Sequence, residues 1–163
     1  MSLVRLRKDE EEAKHPLIML FAEGTILKPK SLFSHFNHKA YIPIGNCVRL
    51  INYWYKQGAE IVYCTSLKKN KVNEMAELLI KHGFMGSSLY YRGKKQKYKD
   101  LVRECKPDIL IEDDCRSIGG AWQMCITYTD SPLKENIKSI VIPEFKGIDH
   151  LPAEIMKLRD YKK

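Results

Sequence analysis

Short apolar runs alternate with amphipathic stretches along this chain, and the alternation predicts an element order. Leu17-Ile18-Met19-Leu20-Phe21 is unbroken and apolar, as suits a short strand buried on both faces. Gly24 and Thr25 end the run, and Lys28-Pro29-Lys30 extends the break into a loop. A polar stretch carrying His35 and His38 follows. The next predicted helix covers roughly residues 44–57, with Val48, Leu50, Ile51, Trp54 and Tyr55 as its apolar positions and Gly58 at its C-terminal cap. Glu60 to Thr65 reads as a second buried strand. Val72, Met75, Ala76 and Leu79 then recur at helical spacing, in a helix from about Lys71 that His82-Gly83 closes. Ser88 to Tyr91 is a candidate short strand, and Lys97 to Cys105 a helix stopped by Lys106-Pro107. Asp108-Ile109-Leu110-Ile111 is a further strand running straight into Glu112-Asp113-Asp114. A Gly119-Gly120 turn, a short helical stretch and the strand Ser139 to Ile142 complete the series.

Strands that alternate with helices imply crossover units, and hence an α/β fold: a three-layer, Rossmann-like parallel sheet with helices on both faces. The strand at Leu17 to Phe21 is expected at its centre. Residues 1–15 read as a polar N-terminal arm or helix and residues 16–163 as one α/β domain, without repeats or a low-complexity linker. In such sheets ligands bind beyond the carboxyl ends of the strands. That rule draws attention to Glu23 to Thr25, to Thr65-Ser66 and to Glu112 to Asp114.

Composition narrows the function classes. A hydrophobic share of 44% and a charged share of 29% are ordinary for a globular chain and exclude a disordered one. The longest apolar run, Leu17 to Ala22, falls far short of the roughly 20 residues of a membrane helix. The charged N-terminal segment lacks the apolar centre of a secretory signal, so a cytoplasmic protein without a membrane partner is expected. Five scattered cysteines, never spaced C-x-x-C, fit buried free thiols better than disulfides or a zinc knuckle; Cys115 is expected near a site loop. The net charge of +8 draws on Lys68, Lys69 and Lys71 and on Arg92 to Lys99, where tyrosines interleave with cations. Such a stretch supports weak, salt-sensitive nucleic-acid binding. A solvated loop and helix face is the plainer alternative.

The strand ends also carry a chemical constellation. A carboxylate with a Gly-Thr turn follows the first strand, a hydroxyl pair follows the second, and an acidic cluster follows a later one. Acidic oxygens converging at strand ends suit Mg²⁺, a hard cation that prefers oxygen ligands. A nearby hydroxyl and lysine suit phosphate oxygens. Each feature has a structural alternative: Thr65-Ser66 as a helix N-cap, the acids as loop caps, Phe21 as strand core, His35 and His38 as surface residues.

In this order and spacing the chain resembles the haloacid dehalogenase (HAD) superfamily, whose members are mostly Mg²⁺-dependent phosphohydrolases acting through an aspartyl-phosphate. The resemblance spans roughly residues 16–152. The first motif, an apolar strand followed by Asp-x-Asp-Gly-Thr, corresponds to Phe21-Ala22-Glu23-Gly24-Thr25. The strand-end hydroxyl corresponds to Thr65, with Ser66 beside it. The helix-start lysine corresponds best to Lys97, with Lys94 and Lys95 as competitors, and the acidic pair to Glu112-Asp113-Asp114. The resemblance therefore implies catalytic positions at Phe21, Glu23, Thr65 and Lys97, and phosphate contacts from Gly24, Thr25, Thr65, Ser66 and Lys97. It implies a Mg²⁺ set of Glu23, Asp113 and Asp114. Leu27 to Tyr41 is too short an insert for a large cap domain.

The departure from the family pattern lies at its centre. Phe21 stands at the nucleophile position, and phenylalanine neither attacks phosphorus nor ligates a metal. Glu23 replaces the acid/base aspartate with a side chain one methylene longer. Mg²⁺ is accordingly expected to be weakly held or absent. Three readings follow. One is a degenerate, catalytically impaired relative kept for binding. Another is a Mg²⁺-dependent hydrolase in which Glu23 or one of Glu112, Asp113 and Asp114 activates metal-bound water on an unknown phosphate ester. The third keeps the fold but places the site elsewhere. The partner expected from the resemblance is a phosphate-bearing small molecule or macromolecule, and from the basic face a nucleic acid or protein.

Overall fold

A computed structural model describes residues 15–162. The expected N-terminal arm, apart from its last residue His15, lies outside the described residues. Five strands form one parallel sheet: β1 (Leu17–Phe21), β4 (Glu60–Thr65), β5 (Ser88–Tyr91), β6 (Ile109–Asp113) and β7 (Lys138–Ile142). Their spatial order is β5-β4-β1-β6-β7, so the first strand is central as its uniformly apolar sequence implies. Ile18, Met19 and Leu20 are wholly buried because both faces of β1 are covered.

The two core clusters separate by strand parity. Ile18, Leu20, Ile61, Tyr63, Ile109 and Ile111 face one layer, which holds helices α1 (Cys47–Lys56), α2 (Val72–Lys81) and α5 (Ile155–Arg159). Met19, Val62, Cys64 and Leu110 face the other, built from α3 (Tyr98–Cys105), the segment around Cys125 and Ile126, and Leu133 of α4 (Ser131–Glu135). The longer helices offer matching stripes, such as Cys47, Ile51 and Trp54 on α1 and Met75, Leu78 and Leu79 on α2. Trp54 is fully buried, and its indole N–H donates to the Pro152 carbonyl at 2.9 Å. The chain winds outward from β1 through β4 to β5, then crosses back to β6 and β7. The reversal leaves a crevice at the carboxyl ends of β1, β4 and β6, where a doubly wound sheet binds ligands.

Two elements differ from the sequence expectation. The insert after β1 contains an antiparallel hairpin, β2 (Leu27–Pro29) with β3 (Tyr41–Pro43), whose three-residue strands are too short to leave a period in the sequence. The C-terminal tail holds α5, anchored by buried Ile155 and Leu158. Between the hairpin strands lie only two short 3-10 turns, so no large cap domain intervenes there. No helix among the described residues is long and apolar enough to cross a membrane.

Glu112 sits on the face of β6 opposite Asp113. Its carboxylate accepts the backbone N–H groups of Cys125 at 2.8 Å and Ile126 at 3.2 Å, pinning that segment to the sheet. Burial raises its pKa from 4.5 to about 7, against the opposing effect of those two donors. Between these values the folded chain retains a proton that the unfolded chain has released, so stability falls as pH rises through the window. The full effect is on the order of 3 kcal/mol. Burial raises the Asp113 carboxyl as well, an effect of the same sign. Chemical denaturation at pH 5 and pH 8 should show the wild type losing stability across this range, and Glu112→Gln should flatten the loss. Leu20→Ala, in the wholly buried centre of β1, should cost about 3 kcal/mol in the same assay. Ile80→Ala, at a residue 76% exposed, should stay within about 0.5 kcal/mol.

Candidate functional site

The loop after β1 is locked between its neighbouring strands. The Ala22 N–H donates to the Cys64 carbonyl of β4 at 2.8 Å, and the Ile26 and Leu27 N–H groups turn back onto the Ala22 carbonyl. Gly24 adopts φ +83°, and a Cβ there would lie 2.8 Å from Asp113 Oδ1. The position thus demands glycine both for its backbone angle and for the close approach of that carboxylate. Thr25, wholly buried, donates its hydroxyl to Asp113 Oδ1 at 2.9 Å and accepts the Asp113 N–H at 3.0 Å. The Phe145 N–H, from the loop after β7, reaches the Gly24 carbonyl at 2.8 Å.

Glu23 turns the other way, toward β4. Its Oε1 accepts the Thr65 hydroxyl at 2.7 Å, the Ser66 hydroxyl at 2.8 Å and the Ser66 N–H at 3.1 Å. Thr65 Oγ1 in turn accepts the Leu67 N–H at 3.1 Å. The strand-end hydroxyl, the adjacent hydroxyl and an amide therefore form a small anion cradle, and a carboxylate of the protein itself fills it. Phe21 packs edge-to-face on Tyr98 at 5.4 Å, and Arg92 lies over the Tyr98 ring at 4.1 Å.

These residues open onto a cavity of about 190 Å³. Phe21, Glu23, Gly24, Ser66 and Asp113 line it, while Thr65 and Thr25 are buried beneath its walls. Lys97 does not line it. It caps α3 with its backbone N–H donating to Asp100 at 2.8 Å, and its side chain is exposed, as are those of Lys94 and Lys95. The neighbouring Tyr98, one position into the helix, lines the cavity instead. Asp114 is likewise outside the lining: its Oδ1 accepts the N–H groups of Glu144 at 3.1 Å and Arg116 at 3.3 Å, bracing two loops. Glu112 is committed to the opposite layer. A larger, open groove of about 610 Å³ runs beside α1, and none of the residues implied by the motifs borders it.

Sequence reasoning missed several of the walls. Tyr41, Glu144 and Phe145 line the cavity, as do His35 and His38, whose sequence setting suggests surface residues. Glu144 follows the carboxyl end of β7, so the strand-end rule extended to the last strand would have flagged it. Cys115 also lines the cavity; burial and the Asp113 carboxylate push its thiol far up, so it is not a ready nucleophile.

The residues present do not fit a Mg²⁺ site. Phe21 supplies no donor atom, Glu23 is tied to Thr65 and Ser66, and both Asp113 oxygens accept protein donors, Thr25 Oγ1 and the Cys115 N–H. Among the described residues no group of three or more His, Cys, Asp or Glu side chains is placed to hold a metal ion.

No protein-family model matches the sequence, and no curated protein matches it. Solved structures do match its fold. The class C acid phosphatase from Bacillus anthracis superposes with a TM-score of 0.55 at 17% identity, over 82% of this chain and 68% of that one. A chain of the Pnkp1/Rnl/Hen1 complex gives 0.55 at 11% identity, over 82% of this chain and 48% of the other. This chain thus spans about half of the latter's length and about two thirds of the former's. At such identities the likeness concerns architecture alone, a parallel α/β sheet with helices on both faces.

Proposed function

We propose that this chain is a catalytically impaired HAD-like protein whose crevice serves binding rather than phosphoester hydrolysis. The observation that carries the reading is the fate of the phosphate cradle. Thr65 and Ser66, the donors the family resemblance assigns to phosphate, both donate to Glu23. A substrate phosphate would have to displace that carboxylate and then sit beside its negative charge. The position of the attacking carboxylate is filled by Phe21, which packs on Tyr98. Among the described residues no lysine or arginine lines the cavity to offset phosphate charge. The neighbouring folds include a phosphatase, but the groups the resemblance assigns to that reaction are altered here at the nucleophile and the acid/base position, and Lys97 does not line the crevice.

The basic rim supports a second, weaker interaction. Lys68, Lys69 and Lys71 follow β4, and Lys94, Lys95 and Lys97 follow β5, all exposed and at the same edge of the sheet. Six cations along adjacent loops attract phosphate backbones without reading sequence.

A panel of phosphate monoesters and diesters with added Mg²⁺ should give no turnover with the wild type, and Mg²⁺ should shift its melting temperature little. Phe21→Asp with Glu23→Asp should restore a Mg²⁺-dependent rise in melting temperature. Wild-type turnover that Asp113→Asn abolishes would establish the hydrolase reading instead. Binding of a single-stranded oligonucleotide should be weak and should fall steeply with salt, as counterion release requires. Replacing Lys94, Lys95 and Lys97 together by Gln should reduce the salt slope by about three phosphate contacts. Binding that persists at high salt would contradict a purely electrostatic rim.

A further inference from the structure

The crevice has exchanged one kind of charge recognition for another. Four phenyl and phenol rings line it, Phe21, Tyr41, Tyr98 and Phe145, drawn from β1, β3, α3 and the loop after β7, with the His35 imidazole edge-on to Phe145 at 6.1 Å and the His38 imidazole tilted against Tyr41 at 5.0 Å. The face of an aromatic ring is the negative end of its quadrupole and attracts cations. The carboxylates of Glu23, Asp113 and Glu144 line the same space. Glu23 acts on two of the rings, since after burial it is among the causes that raise the Tyr41 and Tyr98 phenols. One face of Tyr98 already holds a cation, the Arg92 guanidinium, with its central carbon 4.1 Å from the ring centroid. Ile118, 65% exposed, adds an apolar lip.

These walls discriminate among cations. Mg²⁺ keeps its water and asks for oxygen ligands, which rings do not supply. An alkylated ammonium is weakly hydrated, presents apolar methyl groups, and gains from ring faces and carboxylates together. At about 190 Å³ the space is smaller than a typical drug-sized pocket, so it suits a head group.

We propose that the crevice binds a small organic ammonium ion, its alkylated nitrogen seated among Phe21, Tyr41, Tyr98 and Phe145 and balanced by Glu23, Asp113 and Glu144. This rests on the reading of the crevice as a binding site, and it assigns a role to the phenylalanine that stands where the resemblance implies a nucleophile.

Choline and 3,3-dimethylbutan-1-ol share a shape, but only choline carries the charge. Each is titrated into the full chain at ionic strength held constant with NaCl, and the amide resonances of Gly24, Ser66 and Cys115 are followed. Choline should shift them saturably, and the neutral alcohol should bind about tenfold more weakly. Phe21→Leu keeps the apolar bulk but removes the ring, and should weaken choline about fivefold with little change in melting temperature. Glu144→Gln, at a half-buried residue whose carboxylate accepts from Ser117, should weaken it also and decides the matter if Phe21→Leu does not fold. Equal binding of the two probes, unchanged choline binding in a folded Phe21→Leu or in Glu144→Gln, or no saturable shift at these amides overturns the proposal. Failure here without phosphoester turnover leaves the binding reading standing. Phosphoester turnover by the wild type overturns that parent reading itself.

Discussion

Thr25 and Asp113 stand 88 residues apart in sequence, yet two hydrogen bonds join them at the head of the sheet. The rest of the crevice depends on that pair. It fixes the turn after β1 against the end of β6, and the turn in turn aims Glu23 at β4 and offers the Gly24 carbonyl to Phe145. Both partners are buried, so breaking the pair would leave polar groups without water or protein partners, which costs about 1–3 kcal/mol for each group. The pair also explains Gly24, because Asp113 comes so close to that backbone that no side chain fits between. Three consecutive residues thus do three separate jobs: one reaches across to β4, one makes room, and one ties β1 to β6.

The strands were the legible part of this sequence, for a physical reason. A parallel strand covered on both faces must be apolar throughout, so Leu17–Phe21, the middle of β4 and the start of β6 stand out as unbroken runs. The hairpin β2–β3 was not legible, since Lys28, Pro29 and Pro43 in strands of three residues give neither alternation nor β propensity. The site divided in the same way. Residues at the end of a strand or one or two positions beyond it, such as Asp113, Ser66 and Glu23, meet at the cavity because the strands bring them there. Residues supplied by loops and helix starts follow no such rule. Lys97 and Tyr98 show how narrow the margin is: Lys97 holds an extended cap conformation with its side chain in solvent, while Tyr98 begins the helix and faces Phe21. Tyr41, Glu144 and Phe145 converge only through the folded paths of separate loops, which no local pattern encodes.

The substitution at position 21 also makes sense as packing. A carboxylate there would stand beside Glu23 and Asp113, and like charges at close range raise one another's pKa and oppose folding unless a metal balances them. Phe21 instead joins the core cluster of the α3 layer, against Tyr98 and near Met19. Catalytic centres commonly hold such charge strain at the expense of stability, and an aromatic ring at this position avoids it. Asp113 needs no catalytic duty to account for its position, because it accepts from Thr25 and Cys115 and so holds two loops in place. Asp114 likewise braces the backbone at Arg116 and Glu144. Acids that match a catalytic motif can therefore be explained entirely by the hydrogen bonds they accept, and their presence is no argument for hydrolysis. What distinguishes this crevice is the combination those acids form with the rings around them, and on the proposed reading that surface suits a soft positive charge rather than phosphate.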